Sequence, residues 1–70
     1  MTVVIERYTD SDGIVGEIMQ DKYDTCYRME TMKRIDESRA TVLYRNTYRT
    51  IPDARRAMRR QMHKPIIRNL

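Results

Sequence analysis

The stretch DARRAMRRQMHK, Asp53 to Lys64, places Arg55, Arg56, Arg59, Arg60, His63 and Lys64 within twelve residues. A guanidinium group holds phosphate or carboxylate oxygens through paired N–H donors, and an ammonium adds a point charge. The chemistry on offer is anion binding, to nucleic-acid phosphates or to an acidic protein surface. The solvated back of a helix also carries such residues, because Arg and Lys are good helix formers. Such a face ordinarily mixes signs, and here no acid follows Asp53.

A second pattern is the repeated pair Tyr27-Arg28, Tyr44-Arg45 and Tyr48-Arg49. Tyrosine stacks on bases and arginine holds phosphate in sheet-surface binders. Adjacent strand residues point to opposite faces, however. The tyrosines are therefore expected in the core, with Arg45 and Arg49 outside as candidate binding residues.

Other chemistry finds little to work with. His63 is the only histidine and Cys26 the only cysteine, so no metal site is expected from one chain. His63 extends the basic face, and Cys26, expected mid-strand, reads as an inert buried thiol. The run DSDG lacks the spacing and terminal Glu of a calcium loop and reads as a turn. Paired carboxylates (Asp10/Asp12, Asp21/Asp24, Asp36/Glu37) fall in expected turns, and the chain has no phosphate loop or nucleophile elbow. No enzymatic activity and no cofactor are expected.

The elements that position these residues follow from local patterns. Val3 to Tyr8 is β-branched and aromatic and predicts a strand. Asp12-Gly13 is a hairpin-turn dipeptide. Ile14 to Gln20 predicts a second strand, in which Gly16 marks a weak point or a bulge. Asp21 to Asp24 reads as a turn, Thr25 to Met32 as a third strand and Asp36 to Arg39 as a polar turn. Ala40 to Tyr48, rich in Val, Thr and Tyr, predicts a fourth strand. Connections this short favour an antiparallel meander.

Thr50 then offers a helix cap, Pro52 lacks an N–H where none is needed, and Asp53 faces the positive end of the helix dipole. The helix is expected to run from Ile51 to His63 or Lys64 and to stop before Pro65. With about 100° per residue, Ile51, Ala54, Ala57, Met58, Gln61 and Met62 share one side. Arg56, Arg59, Arg60 and His63 share the other, and Arg55 lies at the boundary.

The expected fold is α+β, an antiparallel three- to four-stranded meander followed by one amphipathic C-terminal helix (β-β-β-β-α). Residues 1–64 form the domain, and 65–70 a tail, extended or loosely docked. In the simplest register the helix covers Ile14, Ile18, Tyr27, Met29, Val42 and Tyr44. The other sheet face then carries Val15, Met19, Cys26 and Leu43 among charged residues. One helix cannot cover both faces, so the ends of the chain wrap around or a partner meets the open side.

Composition bounds the rest. Seventy residues make one small domain, and a chain of this length buries only about 60% of its unfolded surface. The chain has no Trp or Phe, six Met and five Tyr, so its core is expected to be plastic. It has no apolar run of membrane-spanning length, and MTVVIERYTD does not read as a signal peptide. With one cysteine as well, a cytoplasmic protein is expected. The net charge of +4 hides a split. Residues 1–37 hold nine acids and five bases, and residues 38–70 hold one acid and nine bases. Such asymmetry points to an acidic partner for the second half, or to two halves that face each other within one chain or across a dimer.

The run from the sheet strands into YRTIPDARRAM, Tyr48 to Met58, resembles the three-stranded-sheet-plus-helix modules of AP2 type, including amino-terminal domains of phage and transposon integrases. In those modules the sheet enters the DNA major groove, and the resemblance implies DNA binding. Glu17, Asp21, Asp24 and Glu30 on the early strands repel phosphate, so contact is expected first from the helix, Arg45 and Arg49. In general style the chain also resembles the small early proteins by which phages inhibit host machinery. The leading expectation is a non-catalytic regulator or inhibitor that engages a protein of nucleic-acid metabolism or host defence through charged surfaces. Homodimerisation through the uncovered sheet face is a further expectation. The alternative is a direct DNA- or RNA-binding module. In either case the binding residues are drawn from Arg45, Arg49, Arg55, Arg56, Arg59, Arg60, His63 and Lys64.

Overall fold

The β-branched and aromatic runs form four strands, β1 (Thr2–Thr9), β2 (Ile14–Asp21), β3 (Tyr27–Arg34) and β4 (Ala40–Tyr48). The computed structural model describes residues 2–68. Each connection is a tight polar turn, so consecutive strands pair antiparallel, as expected. Gly13 adopts φ +79°, which only glycine takes without strain, and its N–H donates to the Asp10 carbonyl. Asp36 closes the last turn by accepting from the Ser38 and Arg39 amides at 2.9 Å each.

Helix α1 (Ile51–Gln61) follows the fourth strand. Thr50 is its cap, with Oγ1 accepting the Asp53 amide at 3.3 Å. The helix ends two to three residues earlier than Pro65 alone predicts. Met62 turns extended and buries its side chain, His63 donates its backbone N–H to Asp10 Oδ2 at 3.2 Å, and Lys64 takes φ +48°. These three residues reverse the chain, and Ile66–Arg68 pairs antiparallel with β1 as β5. The segment read as a tail thus adds a fifth strand, giving the order β4-β3-β2-β1-β5. Residues 69–70 of that tail lie outside the described residues.

The core lies between α1 and one sheet face. Ile18, Met29, Ala54 and Met58 are fully buried, with Tyr8, Ala57 and Met62 nearly so. Ile14, Tyr27, Tyr44 and Tyr48 pack around them. Val42 does not join this core. Thr31 pairs with Tyr44 while Met32 pairs with Val42, so Leu43 is an extra residue and the bulge turns Val42 to the other face. Gln61 is also exposed, because the helix ends there. Cys26 lies one residue before β3, half-buried, and not mid-strand.

Gly16 forms no bulge. It pairs regularly with Tyr8 and Thr31 and lies directly under the helix. A Cβ there would overlap Met58 Sδ and stand 2.8 Å from Met62 Sδ. The missing side chain lets α1 approach β2.

Asp10 ties this arrangement together. Its Oδ1 accepts the Asp12 and Ile14 amides at 2.9 and 3.0 Å, and its Oδ2 the His63 amide. Burial would raise its pKa, but these backbone donors outweigh burial and hold it below the usual carboxylate range. Asp10→Ala is therefore expected to loosen the reversal into β5. Amide exchange at Ile66–Arg68 should quicken about tenfold, equivalent to about 1.4 kcal/mol of local stability. Unchanged exchange there would show that strand pairing alone holds β5.

Candidate functional site

The basic residues of the second half do not converge on one surface. On α1 they divide between two sides of the helix. Arg55 reaches toward β1, where Nε and Nη2 donate to Glu6 Oε1 and Oε2 at 2.8 and 2.9 Å. Tyr8 Oη donates to the same carboxylate at 2.9 Å. The Arg55 hydrogen bonds hold Glu6 below the usual carboxylate range, against the opposing effect of burial. Burial first, and then Glu6, push the Tyr8 hydroxyl up to about 12. Glu6, Tyr8 and Arg55 thus clamp the helix to β1, and Arg55 is not free for a ligand.

Arg56 and Arg60, one turn apart, lie on the β4 side. With Tyr48, Asp53 and Ala57 they line an open recess of about 310 Å³. Arg56 pairs with Asp53 in the first turn, whereas Arg59 and Arg60 have no ion-pair partner among the described residues. Tyr44 and Tyr48 share a hydrogen bond of 3.0 Å, and Asn46 donates to Tyr44 Oη at 3.2 Å. The Tyr48 hydrogen bond, then Asn46 and the Arg60 charge, hold Tyr44 below the usual tyrosine range. Burial and Tyr44 push Tyr48 up. Arg49 is exposed in the link between β4 and α1. His63 and Lys64 are exposed beyond the other end of the helix.

No protein-family model, curated protein or solved structure matches this chain. Its own geometry carries the functional reading.

Arg45 lies on the opposite sheet face. There the register aligns Arg68, Arg7, Glu17, Glu30 and Arg45 in one row across all five strands. Glu17 and Glu30 stand directly opposite each other, which alone is unfavourable. Each is answered from its outer side. Arg7 Nη2 lies 2.8 Å from Glu17 Oε2, and Arg45 Nε 2.7 Å from Glu30 Oε1. Arg28 bridges diagonally, with Nη1 3.6 Å from Asp21 Oδ2 and Nε 3.2 Å from Glu30 Oε1. That Nε is not aligned to donate and is a buried polar atom without a hydrogen-bond partner. Arg28 also covers Met19, which is buried on this face.

Glu6, Glu17 and Glu30 therefore set which arginines are available, and the basic stretch alone does not reveal them. A parity count through the turns would have aligned Arg7, Glu17 and Glu30 (all one residue off the core positions Tyr8, Ile18 and Met29). Among the described residues no three metal-ligating side chains converge. No described helix is long and apolar enough to cross a membrane.

Proposed function

We propose that this chain is a small non-catalytic binding protein, a regulator or inhibitor of phage or mobile-element type acting in the cytoplasm. It engages a protein of nucleic-acid metabolism or host defence through charge. The observation that carries the reading is a pair of neighbouring free arginines on the helix. Arg7, Arg28 and Arg45 on the open sheet face are matched by carboxylates, and Arg34 and Arg68 at the margins of that face stand apart, whereas Arg59 and Arg60 are adjacent and have no carboxylate partner among the described residues. The surface offered is thus a short basic patch suited to carboxylates. A longer phosphate track would run into Asp53 and Glu6, which already hold Arg56 and Arg55.

A pull-down with the intact chain from nuclease-treated host lysate tests this. One specific protein should be retained, and it should be lost from bait carrying Arg59→Glu and Arg60→Glu. No retained protein at reasonable depth would sink the reading.

The exposed Arg56, Arg59, Arg60 and Lys64 also support direct DNA or RNA binding by the helix, whereas Arg55, grouped with them from the sequence, is held by Glu6. A gel shift at low salt should then disappear when Arg56, Arg59 and Arg60 become Ala, with affinity falling by roughly one log unit per log unit of salt for each neutralised phosphate. Absence of any shift removes this alternative. A homodimer through the open sheet face would have to cover the Arg7–Glu17 and Glu30–Arg45 pairs, at a desolvation cost. Sedimentation of the pure chain distinguishes it from a monomer.

A further inference from the structure

We infer that the free edge of β4 receives an extended acidic segment of the partner as a sixth strand. The inference rests on the binding function proposed above and names the surface and the form of the ligand.

The sheet has two edges, β4 and β5. β5 has three described residues, whereas β4 has nine and is exposed along most of its length. An edge strand presents unpaired N–H and C=O groups that template pairing with another chain. The bulge at Leu43 twists the Ala40–Val42 end out of line. From Tyr44 to Tyr48 the register with β3 is continuous, so the far side of this half is a regular edge, although the Thr47 N–H already donates to Asn46 Oδ1 at 2.8 Å. It carries no Pro and no Lys, the usual edge blockers. Its one charge, Arg45, is drawn over the sheet by Glu30.

The surroundings choose the occupant. β4 contains no acid, and Arg49 follows it. On the helix side the recess holds Arg56 and Arg60 beside the Tyr48 ring, with Asp53 answering Arg56 and leaving Arg60 unmatched among the described residues. A strand added at about 4.8 Å from β4 sends alternate side chains to the two faces. Carboxylates on its helix-side positions would meet Arg60 first and compete with Asp53 for Arg56, with the Tyr44 and Tyr48 hydroxyls as further hydrogen-bond partners. The exposed Leu43 and Val42 at the bulge extend the contact with apolar surface.

A second copy fits worse. Antiparallel pairing of two β4 strands relates the copies by a two-fold axis normal to the sheet. Both helices then lie on one side, and Arg56 and Arg60 of each copy face those of the other.

The test uses the intact chain and a fluorescein-labelled peptide of about six residues that alternates Glu with Val, a normal strand length. Anisotropy at low salt should show binding, and Arg56→Glu with Arg60→Glu should weaken it about tenfold or more. A peptide with Lys in place of Glu should bind the charge-reversed chain better than the wild type. N-methylation of the backbone amides on one edge of the Glu peptide should abolish binding. Equal binding of the N-methylated peptide would overturn strand addition, and so would failure of the parent peptide to bind. Tighter binding of an oligothymidylate of similar length would overturn the acidic-peptide assignment, and a β4-linked dimer in sedimentation would overturn the occupant. If the pull-down retains a partner that excess Glu peptide does not displace, the binding function stands and the edge is not its site.

Discussion

Replacing Met58 by alanine is expected to remove most of the stability of this chain. Met58 is fully buried and lies over Gly16 of β2 with Met62 beside it. Removing a buried Met side chain costs about 2–5 kcal/mol, through lost burial and the cavity left behind. A single core of this size rarely supplies more than about 3–5 kcal/mol. The urea midpoint should fall by at least about 2 M, given a slope of about 1 kcal/mol/M for a small domain. A fall under about 0.5 M would show that other contacts hold the helix.

The same contact predicts the effect of filling Gly16. Gly16→Ala forces Met58 and Met62 to move inside a closed core, at a cost of about 1–3 kcal/mol. The new methyl group would partly occupy the space that Met58→Ala empties. The double variant should therefore be more stable than the sum of the single changes predicts, by about 1 kcal/mol. Strict additivity would mean that the helix shifts as a body and the two sites do not share one volume.

The second large effect concerns acid. Arg55 and Tyr8 hold the Glu6 carboxyl below its ordinary value, so Glu6 is stabilised in the folded state as its charged form. A depressed pKa contributes stability above the unfolded carboxyl value near about 4.3 and loses it as pH falls through the folded value. Arg55 is half exposed, which weakens the pair. Glu6→Gln is therefore expected to cost about 1–2 kcal/mol at neutral pH. The difference between wild type and variant should shrink as pH falls below the ordinary carboxyl range. Asp10 and Asp36 also have lowered values, but they are present in both proteins and cancel in the difference. A gap as wide at pH 3 as at pH 7 would contradict the role of the Glu6 charge. At alkaline pH the sign reverses for Tyr8. Its raised value contributes stability below about 10, and that contribution is lost as pH rises toward the folded value of about 12.

Much of the fold was legible locally. Thr50, Pro52 and Asp53 marked the helix start because a cap acts within four residues. The turns at Asp12-Gly13 and Asp36 to Arg39 were legible because their geometry depends on their own side chains. Ile18, Met29, Ala54 and Met58 were legible as core from their period. The helix end was not, because Met62, His63 and Lys64 respond to the core, to Asp10 and to β1. Val42 escaped because one extra residue in a strand reverses every face before it. Tyr8 entered the core through its place opposite Gly16, which no local rule supplies.

By itself the sequence determined that the chain is α+β, a meander of four strands leading into one capped amphipathic helix, with positive charge concentrated in its second half. Tertiary structure decided which of those charges are available. It brought Glu6 to Arg55 across 49 residues, set Glu30 beside Arg45, and left Arg59 and Arg60 without a carboxylate among the described residues. It also covered the β1 edge with β5, by sending the chain back across the sheet, and left β4 as the long open edge. The physical reason is range. Caps, turns and periodicity act over a few residues, whereas ion pairing and edge exposure depend on which distant strands the register places side by side.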